Sequence, residues 1–221
     1  MDAKGVIAQA EEMIENALWE SLETENWEQE LAGYQKATEL LTSLKGLSGA
    51  IELERKRVLS YCLMRIDEAL VKLEREEGAI RRAEESLELA IQSGDKVQIA
   101  RSKLALGIRL LNEGKLPAAE SHFGDIITEG QDSEDEDMKQ VVGWAFLVRA
   151  NILKGKSLYD QALYIAETAA GLLAGIKNYA GLAQTYSLIA KLQMDLGNPG
   201  ASEDASEASE AYAKKAKELR Q

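Results

Sequence analysis

The residues that could support catalysis are few in this chain and do not form a recognisable set. It contains one histidine, His122, and one cysteine, Cys62, in 221 residues. A Ser-His-Asp or Cys-His arrangement would have to use His122, but this residue directly follows Ser121, and adjacent residues of a helix point in different directions. Cys62 lies in the apolar stretch VLSYCLMRI, which favours a buried, unreactive thiol. These observations predict that the protein is not an enzyme.

Acidic residues are concentrated in QDSEDEDMK at positions 131–139, where several carboxylates could gather a hard cation such as calcium. An EF-hand needs alternating oxygen ligands, a central glycine and a terminal glutamate, and this run is too short and contiguous. The favoured interpretation is a solvated loop whose carboxylates precede a helix N-terminus. No Cys/His cluster suits zinc, and GIRLLNEGKL lacks the Ser or Thr that follows the lysine of a phosphate-binding loop. The sequence predicts no metal and no cofactor.

Composition and charge restrict the class of protein further. Good helix formers predominate, and only Pro117 and Pro199 interrupt them, which predicts an all-α fold. The formal net charge of −12 disfavours nucleic acid and anionic membrane surfaces as partners. The N-terminal stretch has no secretory apolar core, no stretch approaches a membrane span, and a single cysteine gives no hint of an oxidising compartment. We therefore expect a cytoplasmic protein.

Breaker-rich segments divide the chain into about ten helices. The separating segments include KGLSG at 45–49, QSGD at 92–95, NEGK at 112–115 and LGNPG at 196–200. Ser93 and Asp95 are predicted to cap the helix that follows them. The predicted helices are 3–24, 27–43, 50–76, 79–93, 97–113, 116–129, 137–154, 159–174, 178–196 and 201–220.

A pattern of small and large residues recurs along these helices. In LALGIRLLNEGKLPAAESHF, Gly107 is followed by Gly114, Ala119 and Phe123 at offsets of seven, twelve and sixteen. Small residues at such offsets allow the two helices of a pair to approach closely, as we expect at Ala119 and Ala162. Gly107 belongs to a series of equivalent positions, one in each copy of the pattern. The series is Leu18, Val71, Gly107, Ala150 and Ala190, and successive members are 53, 36, 43 and 40 residues apart.

This pattern resembles the tetratricopeptide repeat family, whose units are helix–turn–helix pairs. The repeats here are degenerate, at about 36–43 residues in most of the chain against a family period of 34. The usual terminal proline is absent, and the leading tryptophan is replaced by other residues, among them Asp67. The resemblance implies a single domain over 1–221 that forms a right-handed α-solenoid; an irregular helical bundle is the alternative. The approximate repeats are 11–44, 64–97, 100–133, 143–176 and 183–221.

The resemblance also implies a concave groove lined by the first helix of each repeat, in which family members bind peptides. Carried over to this chain, the groove positions of the first repeat are acidic, whereas those of the later four repeats place basic residues among apolar ones, although the protein as a whole is acidic. This predicts a protein–protein interaction module that binds an acidic or amphipathic peptide or helix. A structural protein that self-associates, and so a homo-oligomer, is the alternative. An enzyme or a small-ligand pocket is the third possibility. The predicted partner-binding residues are Arg65, Lys72, Arg101, Trp144, Asn151, Lys154 and Lys191.

The last helix carries a narrow apolar stripe with polar and charged residues on its other faces. We expect it to pack on the 178–196 helix as a solvating cap, because a terminal repeat has no neighbour to cover its apolar side. Docking on a second copy of the protein is the competing interpretation. The stripe comprises Ala201, Ala205, Ala208, Tyr212, Ala216 and Leu219.

Overall fold

The computed structural model describes residues 2–219, which form ten α-helices and no β-strand. The all-α prediction with about ten helices is therefore confirmed. No helix in this range is long and apolar enough to cross a membrane. The helices are α1 Ala3–Thr24, α2 Trp27–Ser43, α3 Gly49–Lys72, α4 Ala79–Ser93, α5 Lys96–Asn112, α6 Leu116–Gly130, α7 Glu136–Gly155, α8 Tyr159–Gly175, α9 Tyr179–Asp195 and α10 Pro199–Glu218.

Most helix boundaries agree with the sequence to within one or two residues, and the largest difference is at the end of α3. We expected this helix to reach residue 76, but it ends at Lys72. Glu74 adopts the left-handed conformation with φ of 57°, and the Arg75 N–H donates to the Leu70 carbonyl at 2.8 Å. Such a left-handed residue terminates a helix and is usually a glycine, so the sequence carried no signal for it. The last helix begins at Pro199, which suits a first helical turn, and the predicted end at 220 lies outside the described residues.

Asp95 caps α5 as predicted, whereas Ser93 is the last residue of α4 and accepts from the N–H of the capping residue itself. The Asp95 carboxylate accepts a hydrogen bond from the Gln98 backbone N–H at 2.7 Å, and Ser93 Oγ accepts one from the Asp95 N–H at 3.1 Å. Asp135, in the acidic run, likewise caps α7 by accepting from the Met138 N–H at 3.0 Å. Part of this run therefore starts a helix, as the sequence indicated.

The chain divides into two compact units between Lys115 and Leu116. In the first unit, α1 packs against α2 and α3 packs against α4. Each following odd-numbered helix contacts both members of the preceding pair, so that α3 lies against α1 and α2, and α5 against α3 and α4. Its hydrophobic core is aliphatic except for Tyr34 and Cys62, which are both fully buried.

Three serines allow α3, α4 and α5 to meet closely inside the first unit. Ser60, Ser86 and Ser102 are fully buried, and their hydroxyl oxygens lie 3.0–3.2 Å from one another. Ser60 Oγ donates to the Ser86 carbonyl at 2.7 Å, and Gln98 Nε2 donates to Ser60 Oγ at 3.0 Å. Because the hydroxyls bond one another and the backbone, three small polar residues fill the contact without leaving a buried polar group unsatisfied.

The second unit repeats the same arrangement with α6–α10. In this unit α7 packs against α6 and α8, α9 lies against both α7 and α8, and α10 runs along α9. Close approach depends on glycine, since a Cβ at Gly143 would lie 2.8 Å from Leu173 and one at Gly181 would lie 3.0 Å from it. Helix–turn–helix pairs that stack in this way make each unit a helical repeat structure. The prediction of one continuous domain over 1–221 stays a prediction.

The small residues predicted at the helix contacts are buried as expected. Ala119 and Ala162 are both 0% exposed. The equivalent position of the first repeat holds Glu30, which is also 0% exposed. A charged residue in place of a small one requires a partner inside the protein.

The final helix packs on α9, as its apolar stripe predicted. Ala205 is buried, and the Tyr212 ring lies 6.2 Å and 5.4 Å from the ring centroids of Tyr179 and Tyr186. The buried part of the stripe is shorter than expected, because Ala201, near the start of α10, and Leu219, directly after its end, are exposed. Its role as a solvating cap stays a prediction.

Replacing Ala162 with leucine tests the repeat register. Because Ala162 is fully buried at the close contact of α8, the larger side chain is expected to lower the free energy of unfolding by about 1–3 kcal/mol. The neighbouring Gln161 is exposed, so Gln161→Leu is a matched control that should change stability by less than about 0.5 kcal/mol. Urea denaturation of the two variants measures the difference, and equal midpoints would show that the register is wrong.

Candidate interaction surfaces

The seven residues predicted to bind a partner are divided between the two units. Arg65, Lys72 and Arg101 lie in the first unit, on α3 and α5. Trp144, Asn151, Lys154 and Lys191 lie in the second, on α7 and α9. Their surroundings differ, and the two sets are therefore considered separately.

In the first unit, Arg65 and Lys72 both form ion pairs with an acidic residue of α2, Glu30. Arg65 Nη2 lies 3.3 Å from Glu30 Oε1, and Lys72 Nζ lies 3.0 Å from Glu30 Oε2. The Tyr34 hydroxyl donates to Glu30 Oε1 at 2.7 Å. Arg65 also pairs with Glu68, and the Lys72 ammonium lies 4.0 Å from the ring centroid of Trp27. The charge of the buried Glu30 is thus compensated by two cations that the sequence assigned to a groove.

Burial dominates the electrostatics of this cluster. Removal from water raises the pKa of Tyr34 above its ordinary value, with the hydrogen bond to Glu30 adding to the effect and Arg65 opposing it. Burial lowers the pKa of Arg65, but the charge of Glu68 and the neighbouring tyrosines outweigh it, so that the net shift is upward. Surrounding protein atoms also raise the pKa of Glu68, although 37% of its side chain is exposed. Arg65 stays charged and bound.

A second buried ionic group, which the sequence did not reveal, lies beside this cluster. The Asp67 carboxylate is 3% exposed, accepts from Arg109 Nε at 2.6 Å, and lies 3.3 Å from Arg82. The sequence resemblance aligned Asp67 with the leading tryptophan of a tetratricopeptide repeat, and this replacement was the only sequence signal of an unusual site. The arrangement joins α3, α4 and α5, and its chemistry is structural.

Arg101 lies at a small cleft between α1, α3 and α5. Its guanidinium carbon is 5.9 Å from the ring centroid of Tyr61, and Arg57, which also lines the cleft, pairs with Glu11 at 2.5 Å. The cleft has a volume of about 210 Å³. It is smaller than the roughly 300–1,000 Å³ of sites that hold drug-sized ligands, and its charged residues include both signs.

Cys62 has the environment that its sequence context predicted. It is fully buried, and burial raises the pKa of its thiol to about 11. The thiol donates to the Tyr34 carbonyl at 3.1 Å. A neutral, enclosed thiol is a poor nucleophile at neutral pH.

In the second unit, exposed polar side chains line one depression between α7 and α9. Its volume is about 440 Å³. Asn151 and Lys191 are both exposed on its surface, as is Gln184. Lys191 forms no ion pair within the described part of the chain, and the Asn151 amide donates only to the Leu147 carbonyl of its own helix, at 3.0 Å. The lining residues are Leu147, Asn151, Ala183, Gln184, Ser187, Leu188, Lys191 and Ser209.

The other two predicted residues of this unit are less available. Lys154 Nζ pairs with Asp195 at 3.2 Å, and both side chains are about one-third exposed. Trp144 is half-buried on α7, and it does not line the depression. The structure therefore brings Asn151 and Lys191 together and leaves Trp144 and Lys154 outside their depression.

The acidic run contributes to local structure. Glu134 pairs with Lys139 at 2.8 Å, and this hydrogen bond lowers the pKa of the Glu134 carboxyl. Across residues 2–219, no three acidic, histidine or cysteine side chains are placed to hold a metal ion.

Comparisons with known proteins identify the fold. No family model matches the sequence, and no curated protein matches it. Among solved structures, the chain is similar to BtubC (BKLC) from P. vanneervenii, with a TM-score of 0.63, 14% sequence identity, and coverage of 98% of this chain and 93% of that one. It is also similar to the apo form of RapI, with a TM-score of 0.55, 15% identity, and coverage of 96% and 85%. Both are helical repeat proteins, so the all-α repeat fold is confirmed and is consistent with the tetratricopeptide-like prediction.

Proposed function

We propose that the protein is a non-enzymatic interaction module that binds an extended peptide along the α7–α9 depression of its second unit. The observation that supports this most directly is the set of exposed polar side chains on two neighbouring helices, Asn151, Gln184 and Lys191. An amide side chain offers both a donor and an acceptor, which suits the N–H and C=O groups of a peptide backbone.

The charge of this surface specifies the partner more closely. Lys191 forms no ion pair with any residue that the structure describes, so an acidic side chain or a terminal carboxylate of the peptide pairs with it without displacing such a partner. Leu147 and Leu188 also line the depression, although each is only 4% exposed. The proposed ligand is an acidic or amphipathic peptide, and Lys191 supplies the specificity for its acid.

The first unit does not provide an equivalent surface in this proposal. Arg65 and Lys72 are held by Glu30, and an incoming acid would have to replace that buried carboxylate. Breaking such a pair leaves an uncompensated buried charge, which is strongly unfavourable. Binding is accordingly assigned to the second unit alone.

The test is selection of peptide ligands followed by measurement of affinity. Short random peptides displayed on phage are selected on the full chain, and the dissociation constants of labelled peptides are measured by fluorescence anisotropy. Asn151→Ala is expected to weaken binding roughly two- to tenfold, since a neutral hydrogen bond contributes about 0.5–1.5 kcal/mol. Lys191→Glu should weaken it further and reduce its dependence on salt.

A control variant separates the site from general charge effects. Lys177 is exposed in the turn between α8 and α9, outside the depression, so Lys177→Glu makes the same charge change elsewhere and should bind as the wild type does. Selected peptides that bind all three variants equally would contradict the proposed function.

A further inference from the structure

Each pair of helices within a unit forms a furrow that the next helix fills. In the first unit α3 lies against α1 and α2, and α5 against α3 and α4; in the second, α9 lies against α7 and α8. The pair α9–α10 forms the corresponding furrow, with a volume of about 420 Å³, and no further helix of the second unit covers it among the described residues. The α9–α10 furrow therefore has the position that a following helix occupies in the other pairs, and no helix of the described residues fills it.

The floor of the furrow consists of side chains that are small enough for another helix to approach closely. In the preceding helix pair, α8 carries Ala162, Ala166 and Ala169, all 0% exposed. Forty residues later in the sequence, the same places of α10 hold Ser202, Ser206 and Ser209, and all three line the α9–α10 furrow. Serine is nearly as small as alanine, so a helix can approach this floor as closely as α9 approaches α8.

Covering this floor leaves two of its hydroxyls satisfied. Ser206 Oγ donates to the Ser202 carbonyl at 2.9 Å, and Ser209 Oγ donates to the Ala183 carbonyl at 2.8 Å. Because these hydrogen bonds lie within the protein, excluding water from the furrow does not break them. These serines therefore suit a furrow that is exposed to water when it is empty and that loses this water when a helix binds.

The two rims carry charges of opposite sign, and these charges are not paired with any described residue. Lys191 is exposed on the α9 rim beside Met194, whose surface is 57% exposed. Glu210 lies on the α10 rim, and Glu203 is seven residues earlier on the same side of that helix. None of Lys191, Glu203 and Glu210 forms an ion pair within residues 2–219. A bound helix would meet an acidic flank along α10 and a basic residue on α9.

We propose that the α9–α10 furrow binds an amphipathic helix of another protein. The helix presents small and apolar side chains to the serine floor, basic side chains to Glu203 and Glu210, and an acidic side chain to Lys191. A second copy of this chain is the less suitable occupant, because a net charge of −12 opposes its self-association. This furrow adjoins the proposed peptide site on α7 and α9, and Ser187, Lys191 and Ser209 line both; Met194, Ser202, Ser206 and Glu210 line the furrow alone.

The experiment uses two designed helical peptides and the full chain labelled with ¹³C at its methionine methyl groups. Both peptides have an alanine and leucine face; one carries lysines on the flank facing α10 and a glutamate on the other flank, and the second has these flanks exchanged. The first peptide is expected to shift the Met194 methyl signal and to bind roughly three- to tenfold more tightly than the second.

Variants locate the binding. Glu203→Lys combined with Glu210→Lys should reverse the preference between the two peptides, whereas Glu167→Lys, at an exposed position of α8, should leave it unchanged. Ser206→Arg should block binding of both peptides by filling the furrow, and Asn151→Ala, which changes only the α7–α9 depression, should have no effect. A Met194 signal that does not move, equal binding of the two peptides, or a dimer in sedimentation that already occupies the furrow would each overturn the proposal.

Discussion

Replacing Asp67 with alanine is expected to lower the free energy of unfolding by about 3–5 kcal/mol. The carboxylate is 3% exposed and accepts from Arg109 Nε at 2.6 Å, and the Arg109 side chain is only 10% exposed. Removing the acid leaves the arginine charge enclosed without its main partner, which costs more than the pair itself contributes. Chemical denaturation in urea, with the change read by circular dichroism, measures the loss.

Exposed and double variants show whether burial is the cause. Glu113 pairs with Lys115 at 3.0 Å where both side chains are more than half exposed, so Glu113→Ala should cost no more than about 1 kcal/mol. Asp67→Leu combined with Arg109→Met removes both charges and should recover much of the stability lost by Asp67→Ala. A loss at Asp67 no larger than that at Glu113 would contradict this account.

Replacing Leu173 with alanine is expected to lower the free energy of unfolding by about 2–5 kcal/mol. It should also reverse the effect of a second substitution, Gly143→Ala. Leu173 is fully buried, and it fills the space above the backbone of Gly143 and Gly181. In the wild type, Gly143→Ala is destabilising, because its Cβ would lie 2.8 Å from Leu173. With Leu173→Ala this clash disappears, and alanine should then stabilise α7 by up to about 1 kcal/mol relative to glycine.

The measurement is a double-mutant cycle of unfolding free energies at positions 143 and 173. Gly171 of α8 is the control, because open space surrounds it, and Gly171→Ala should stabilise the protein in both backgrounds. Effects at positions 143 and 173 that simply add would mean that the glycine is not required for the approach of the helices.

The helices and their order follow from local sequence. Breaker segments, the Asp95 cap and 3.6-residue periodicity act over a few neighbouring residues, and they placed all ten helices. The small residues at Ala119 and Ala162 also predicted contacts that are fully buried. The end of α3 was missed because Glu74 takes a left-handed conformation that nothing in its residue type requires.

The pairing of charges was decided by tertiary structure. Helical spacing places Arg65 and Lys72 on one face of α3. From this spacing alone, both residues were predicted to line a basic groove. Glu30 precedes them by 35 and 42 residues, and only the packing of α2 against α3 brings its carboxylate to both cations. Lys191, by contrast, forms no ion pair within the described residues, and it remains exposed together with Asn151 on one depression. A sequence specifies which residues share a helix face, whereas the partner of a charge depends on which helix lies against that face and at what rotation.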